Sequence, residues 1–147
     1  MKRALVGFVL AVLVTAAASS LIQTLRIHAA LVALGAEIPF GLRLQAMASD
    51  LWGFAPVYAL IVAGGFLIAF AVAGGIRRWA RGVGPGLHIA AGAAAILTAL
   101  LSMEALLGMS VVAGARDGLG LGLFVAAGAL GGAVFARFAK PRLPQSS

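Results

Sequence analysis

The chain has 147 residues, of which 63% are hydrophobic and 10% charged, and its mean hydropathy of +1.10 is far above that of a soluble domain. The formal charge of +7 has no polar domain to sit on, which excludes a nucleic-acid face. The absence of cysteine excludes disulfide frameworks, thiolate nucleophiles and cysteine zinc sites.

Four apolar runs approach the roughly twenty residues needed to cross about 30 Å of hydrocarbon: residues 4–25, 54–76, 87–109 and 119–138. An outer-membrane barrel would alternate apolar and polar residues in segments of about ten, and Ala59-Leu60-Ile61-Val62-Ala63 does not alternate. The fold class is therefore all-α: an integral membrane four-helix bundle forming one domain over residues 1–140, with 141–147 a disordered cytoplasmic tail.

In the first run Lys2-Arg3, an apolar stretch and Ala16-Ala17-Ala18 resemble a secretory signal with its cleavage site. The apolar character continues through Leu21 and Ile22, so the segment reads as an uncleaved span. Its Thr15, Ser19 and Ser20, like Thr98 in the third run, can bond to carbonyls of their own helix. Gln23 and Thr24 stand at the outer end, placed to line a cavity or to bond across helices.

The connection from Arg26 to Gly53 is too long and too apolar for a plain loop. Breakers at Gly35, Pro39 and Gly41 divide it, and a helix over 42–51 would gather Leu44, Met47, Ala48 and Leu51 on a face opposite Arg43 and Asp50. This predicts a partly helical extracytoplasmic cap between the first two spans, lying on the membrane or over the bundle.

Trp52 and Trp79 flank the second run as headgroup-layer anchors. Pro56 falls in its expected first turn, and Gly84-Pro85-Gly86 predicts a tight hairpin to the third run. In the fourth run Gly118, Gly122, Ala126, Ala129 and Ala133 recur at spacings of three and four, and Gly128 with Gly132 makes a second small-residue pair; Ala55, Ala59 and Ala63 do the same in the second. These faces predict close helix packing, or a surface for a homo-oligomer or a partner membrane protein. Arg78-Trp79-Ala80-Arg81 and Arg137-Phe138-Ala139-Lys140 end the two halves alike, as parallel repeats would, although interface anchoring alone produces the same pattern.

The basic residues sort by side. Lys2, Arg3, Arg77, Arg78, Arg81, Arg137, Lys140 and Arg142 fall on one side with no acid among them, whereas Arg26, Arg43 and Arg116 share the other with Glu37, Asp50 and Asp117. The positive-inside rule makes the first side cytoplasmic. The expectation is a bacterial inner-membrane protein with both termini inside and anionic lipids as its surface partners.

Glu104 is the one carboxyl group inside a predicted span, about 9 Å below its outer end. A charge there costs on the order of 2 to 3 kcal/mol unless paired, protonated or hydrated. Arg43 and His28 are the first expected partners, with Arg26 and Arg116 on the same side and Asp50 and Gln23 nearby. The arrangement reads either as an ion pair tying the connection to the bundle or as a ligand or proton site. His28, Glu37, Asp50 and Glu104 lack metal-ligand spacing, and neither a metal nor a cofactor is expected. His88 reads as an interface residue.

Ile38-Pro39-Phe40-Gly41-Leu42-Arg43 and Asp50-Leu51-Trp52-Gly53-Phe54-Ala55-Pro56 resemble small bacterial inner-membrane proteins of unassigned function, a likeness that implies no activity. The chain departs from small multidrug transporters, whose essential glutamate lies in the first span. It departs equally from thiol-oxidising quinone reductases, which need cysteines, and from membrane glutathione transferases, whose polar second-helix motif is missing. The reading is a non-catalytic binding or accessory role on the extracytoplasmic side, toward lipid, an apolar ligand or a partner membrane protein. Proton-coupled permeation through Glu104 is the alternative. An enzyme using Glu104 or Asp50 with His28 on lipid-linked substrates comes third.

Overall fold

The computed structural model describes residues 2–80, 84, 86–108 and 112–139. The predicted tail, Pro85 of the expected hairpin, and Arg81, Lys140 and Arg142 of the basic side lie outside the described residues. The elements among the described residues are all helical: α1 (Lys2–Ala33), α2 (Phe40–Trp79), α3 (Gly86–Leu107), a single 3-10 turn at Ala113–Ala115 and α4 (Gly118–Phe138). All four α-helices are long and apolar enough to cross a membrane.

The helices run up and down in a ring. α1 packs on α2 and α4, and α3 packs on α4 and α2, so that α1 and α3 face each other diagonally. The tightest seam is α3 on α4, where glycines bring the two backbones together. A Cβ on Gly92 would collide with the Gly128 carbonyl, and one on Gly132 with the His88 carbonyl. This contact uses the Gly128/Gly132 pair. On its other flank Gly131 leaves room for Thr15 of α1 and the Phe66 ring.

Aromatic side chains of α2 fill the remaining diagonal. Tyr58 meets Phe124 edge-on with centroids 5.9 Å apart, and Phe70 stacks on Phe135 at 4.3 Å. Such pairs contribute about 0.5–1.5 kcal/mol each beyond the area they bury. Val62, Phe66, Ile96 and Phe124 are fully enclosed in this layer.

The first small-residue stripe is placed differently from its expectation. Gly118, Gly122 and Ala126 are exposed and Ala129 and Ala133 half-buried, with no neighbour near Gly118 or Gly122 for a Cβ to touch. The reason is that α4 has to serve two partners. Its buried stripe is Gly120, Phe124, Ala127, Gly128, Gly131 and Gly132, which turns the Gly118 stripe outward. In α2, Ala55 is buried and Ala59 and Ala63 half-buried.

The separate cap is also corrected. α2 is one helix of 40 residues that takes residues 42–51 into the same rod as the second apolar run, with no break at Gly53. Pro56 consequently lies in the middle of a helix and frees the Trp52 carbonyl from its usual bond. Continuity also fixes which face packs: Ala46, Met47 and Asp50 are half-buried, whereas Leu44, Ala48 and Leu51 are exposed. Asp50 thus points inward and most of the apolar set points out, the reverse of the sequence expectation.

α1 has 32 residues against 22 in α3 and 21 in α4, and beyond Arg26, which pairs with Asp117 just before α4, its last turns project with the start of α2 about 10 Å past the rest of the bundle. Gly35, at φ +87°, closes the projection in a left-handed turn that few other residues adopt. The two halves do not end alike either. Trp79 is 93% exposed, whereas Phe138 packs on Gly7.

Candidate functional site

α1 is built inside out. Its buried face is Gly7, Ala11, Val12 and Ala16 in the first half but Thr15, Ser19, Ser20, Thr24 and His28 beyond, while Leu13, Leu21 and Leu25 are exposed. Steps of four residues, with Ser19 and Ser20 adjacent, keep the five polar groups on one side of the helix. Near mid-bundle the Thr15 hydroxyl donates to the Ala127 carbonyl at 3.3 Å. Toward the projecting end the Thr24 hydroxyl lies 2.6 Å from Asp50 Oδ2 and 3.1 Å from the Ser20 carbonyl. A hydroxyl has one proton to give, and the shorter, charge-assisted contact to Asp50 takes it.

Around this pair, buried polar atoms lack protein partners: Ser19 Oγ, Ser20 Oγ, the Tyr58 phenol and His28 Nδ1. The Tyr58 phenol sits beside Ser19 without closing a good hydrogen bond. A buried polar atom without a partner costs about 1–3 kcal/mol, a cost that ordered water or a bound polar group offsets. The seam between α1 and α2 is therefore polar, enclosed and incompletely satisfied.

The neighbouring loop is tied down by two contacts from α1. Gln23 Oε1 accepts from the Gly114 N–H at 3.3 Å, and the Arg26 guanidinium pairs with the Asp117 carboxylate. Asp117 also caps α4 by accepting from the Gly120 N–H at 2.7 Å. The Gly120 amide, helped by Arg26, holds the Asp117 carboxyl below its ordinary range.

Grooves flank the projecting end of α1 on both sides. One, of about 410 Å³, runs between α1 and the 3-10 turn and is lined by Ile27, Ala30 and Leu31 with Arg26, Arg116 and Asp117. The other, of about 230 Å³, is lined by Leu25, His28, Ala29, Val32 and Arg43. Arg26, His28, Arg43 and Arg116 thus form a basic collar around an apolar stem. Among the described residues, Arg26 alone of the three arginines has an acidic partner.

The expectation for Glu104 is not met. α3 ends at Leu107, and the Gly108 N–H donates to the Glu104 carbonyl at 2.9 Å, so the residue occupies the last turn and lies about 4.5 Å from the helix end. Its side chain is exposed and makes no ion pair or hydrogen bond among the described residues. Because α3 does not pack beside α1, Arg43, His28 and Arg26 are out of its reach. Gln23 bonds the loop instead of sharing a cavity with it.

His88, expected at an interface, is 3% exposed and boxed by Phe70 and Phe135, at centroid distances of 6.0 and 5.2 Å. Among the described residues no three acidic or histidine side chains cluster as a metal site requires. Sequence reasoning missed the Thr24–Asp50 pair and the capping role of Asp117. The polar spacing 15, 19, 20, 24, 28 was the available signal for the first, and Asp117 three residues before Gly120 for the second. In comparison with known proteins the chain matches no family model, no curated protein and no solved structure.

Proposed function

We propose that the chain is a non-catalytic binding protein of the bacterial inner membrane. Both termini lie in the cytoplasm, and the outward-facing Asp50 end holds the head of an anionic amphipath. Four helices of spanning length and composition support insertion. So does the inverted face of α1, because in lipid the leucines belong outside and the hydroxyls between helices. Trp52 and Trp79, 88% and 93% exposed on one continuous helix, stand about 40 Å apart, close to the separation of two headgroup layers. Lys2, Arg3, Arg77, Arg78 and Arg137 gather at the opposite end of the bundle from Asp50, which supports the orientation.

The observation that carries the binding reading is the collar. Arg43 and His28 share a groove with apolar walls beside the Thr24–Asp50 pair, and Arg116 heads a second groove on the other flank. Guanidinium groups over an apolar trough suit a phosphate or carboxylate head with a hydrocarbon body. The projecting end of α1 and α2 takes the place of the expected cap. Native mass spectrometry of the protein extracted in mild detergent tests the reading: a lipid-like adduct should accompany the native chain and be depleted in an Arg43→Gln, Arg116→Gln variant. A monodisperse, adduct-free native protein would remove the support.

One observation favours a second reading, proton-coupled permeation by an oligomer: the buried α1 hydroxyls run in line from Thr24 to Thr15. Asp50 is then the titrating group in place of exposed Glu104. The line stops against buried Phe66 and Phe70, so a single chain offers no polar path through its other half. Liposome proton flux abolished by Asp50→Asn would favour this reading over binding alone.

A further inference from the structure

Of the four collar residues only His28 is buried. It is 9% exposed, its Nδ1 is enclosed without a partner, and its ring lines the smaller groove together with Arg43. Arg43 and Asp50, seven residues apart, share one face of α2. Asp50 meets Thr24, one turn before His28 on α1, and Arg43 stands in the groove itself. Along the seam the imidazole therefore lies between a carboxylate engaged by a hydroxyl and a guanidinium that has no acidic partner among the described residues. On the other flank of α1, Arg116 and Asp117 accompany Arg26, and Glu37 is exposed beyond the end of the helix. His88, the other histidine, stands near the start of α3 at the far end of the bundle.

A neutral imidazole offers one N–H and one lone pair, whereas its protonated form offers two donors and a positive charge. A charge enclosed between apolar walls is costly without a counter-ion, and Arg43 adds a second positive charge to the same groove. An anionic head seated there supplies the counter-charge for both cations. A proton on the imidazole and an anion in the groove therefore favour each other's binding by the same factor. We infer that His28 makes the collar acid-gated: the groove takes up a proton together with the anionic head and holds that head more tightly as pH falls. The inference rests on the collar reading above and gives that site its regulation.

The test titrates the full chain, held in phosphatidylcholine nanodiscs, with dodecyl sulfate, whose head stays anionic throughout the range in which imidazole titrates. Wild type should bind about tenfold more tightly at about pH 5.5 than at about pH 8, the scale of one charge-assisted hydrogen bond gained. Binding in weak buffer near neutrality should draw protons from solution. His28→Gln should bind with one affinity at both pH values. Arg43→Gln should bind more weakly and keep the ratio, and Asp50→Asn should keep it too. Equal wild-type affinities at the two pH values would overturn the inference, as would a ratio that survives in His28→Gln or disappears in Asp50→Asn. Wild-type binding without proton uptake would overturn it whatever the stability of His28→Gln. Absence of saturable binding at both pH values would remove the collar reading, and the inference with it.

Discussion

Thr24 on α1 and Asp50 on α2 meet at 2.6 Å, joining the two helices that project furthest from the bundle. The contact sets both the depth and the rotation of the start of α2. It holds Asp50 inward, so that Arg43, two turns earlier on the same helix, comes to the groove lined by His28. Replacing Thr24 by Val removes the donor and leaves the half-buried carboxylate without it, a loss of about 1.5–3 kcal/mol. Asp50→Asn keeps an acceptor for the hydroxyl and should cost less. Unfolding in mixed micelles measures both, and equal stability of Thr24→Val and wild type would contradict the pairing.

The glycines of the α3/α4 seam and those on the outer face of α4 divide sharply. Gly92→Ala or Gly132→Ala drives a methyl group into a carbonyl of the opposing helix, and no flexible side chain is there to yield. Each should destabilise by about 1–3 kcal/mol, as overpacking does. Gly118→Ala and Gly122→Ala meet open space. They should be neutral or stabilise by up to roughly 1 kcal/mol through helix propensity. The same unfolding assay ranks all four, and a reversed ranking would mean that α4 is rotated the other way.

Glu104→Gln should change stability by no more than about 0.5 kcal/mol, the range of surface substitutions without partners, and should leave amphipath binding unaltered. A large effect in either measurement would restore a buried role for this carboxyl.

Stability should also depend on acid through Asp117. Its carboxyl is held below the ordinary carboxylate range, first by the Gly120 amide and then by Arg26. A group depressed in the folded state stabilises above its unfolded pKa, and that stabilisation is lost as pH falls through the folded value. Asp117→Asn retains a cap but no ion pair, so its deficit against wild type should be constant near neutrality and shrink as acid protonates the Asp117 carboxylate of the folded protein. A deficit that persists in acid would assign the effect to packing.

Spanning segments were legible because twenty-residue apolar runs have few other uses, and the order of the helices followed from them. The continuity of α2 was not. Gly41, Gly53 and Pro56 look like boundaries in a sequence, but packing against α1 through Ala46, Met47 and Asp50 carries the helix across them. Glu104 drew attention as the lone acid in an apolar run, a signal that reports depth and says nothing of rotation. Two residues set that rotation, Gly92 and Ile96, which must face α4 and so turn Glu104 outward. The α1 hydroxyls gave the opposite case. Thr15, Ser19 and Ser20 looked like residues bonding their own helix, and the spacing that lines them up with Thr24 and His28 gains meaning only when α2 and α4 cover them.

Under the proposed function the collar around α1 selects an anionic head on an apolar body. Titrating the protein, held in nanodiscs of neutral lipid, with dodecyl phosphate and with dodecylphosphocholine tests this most directly, with Trp52 fluorescence as the readout. Saturable binding of dodecyl phosphate alone, weakened about tenfold or more in Arg43→Gln, Arg116→Gln as the loss of charge-assisted hydrogen bonds requires, is the predicted result. Indistinguishable titrations of the two detergents, or of wild type and variant, would contradict it.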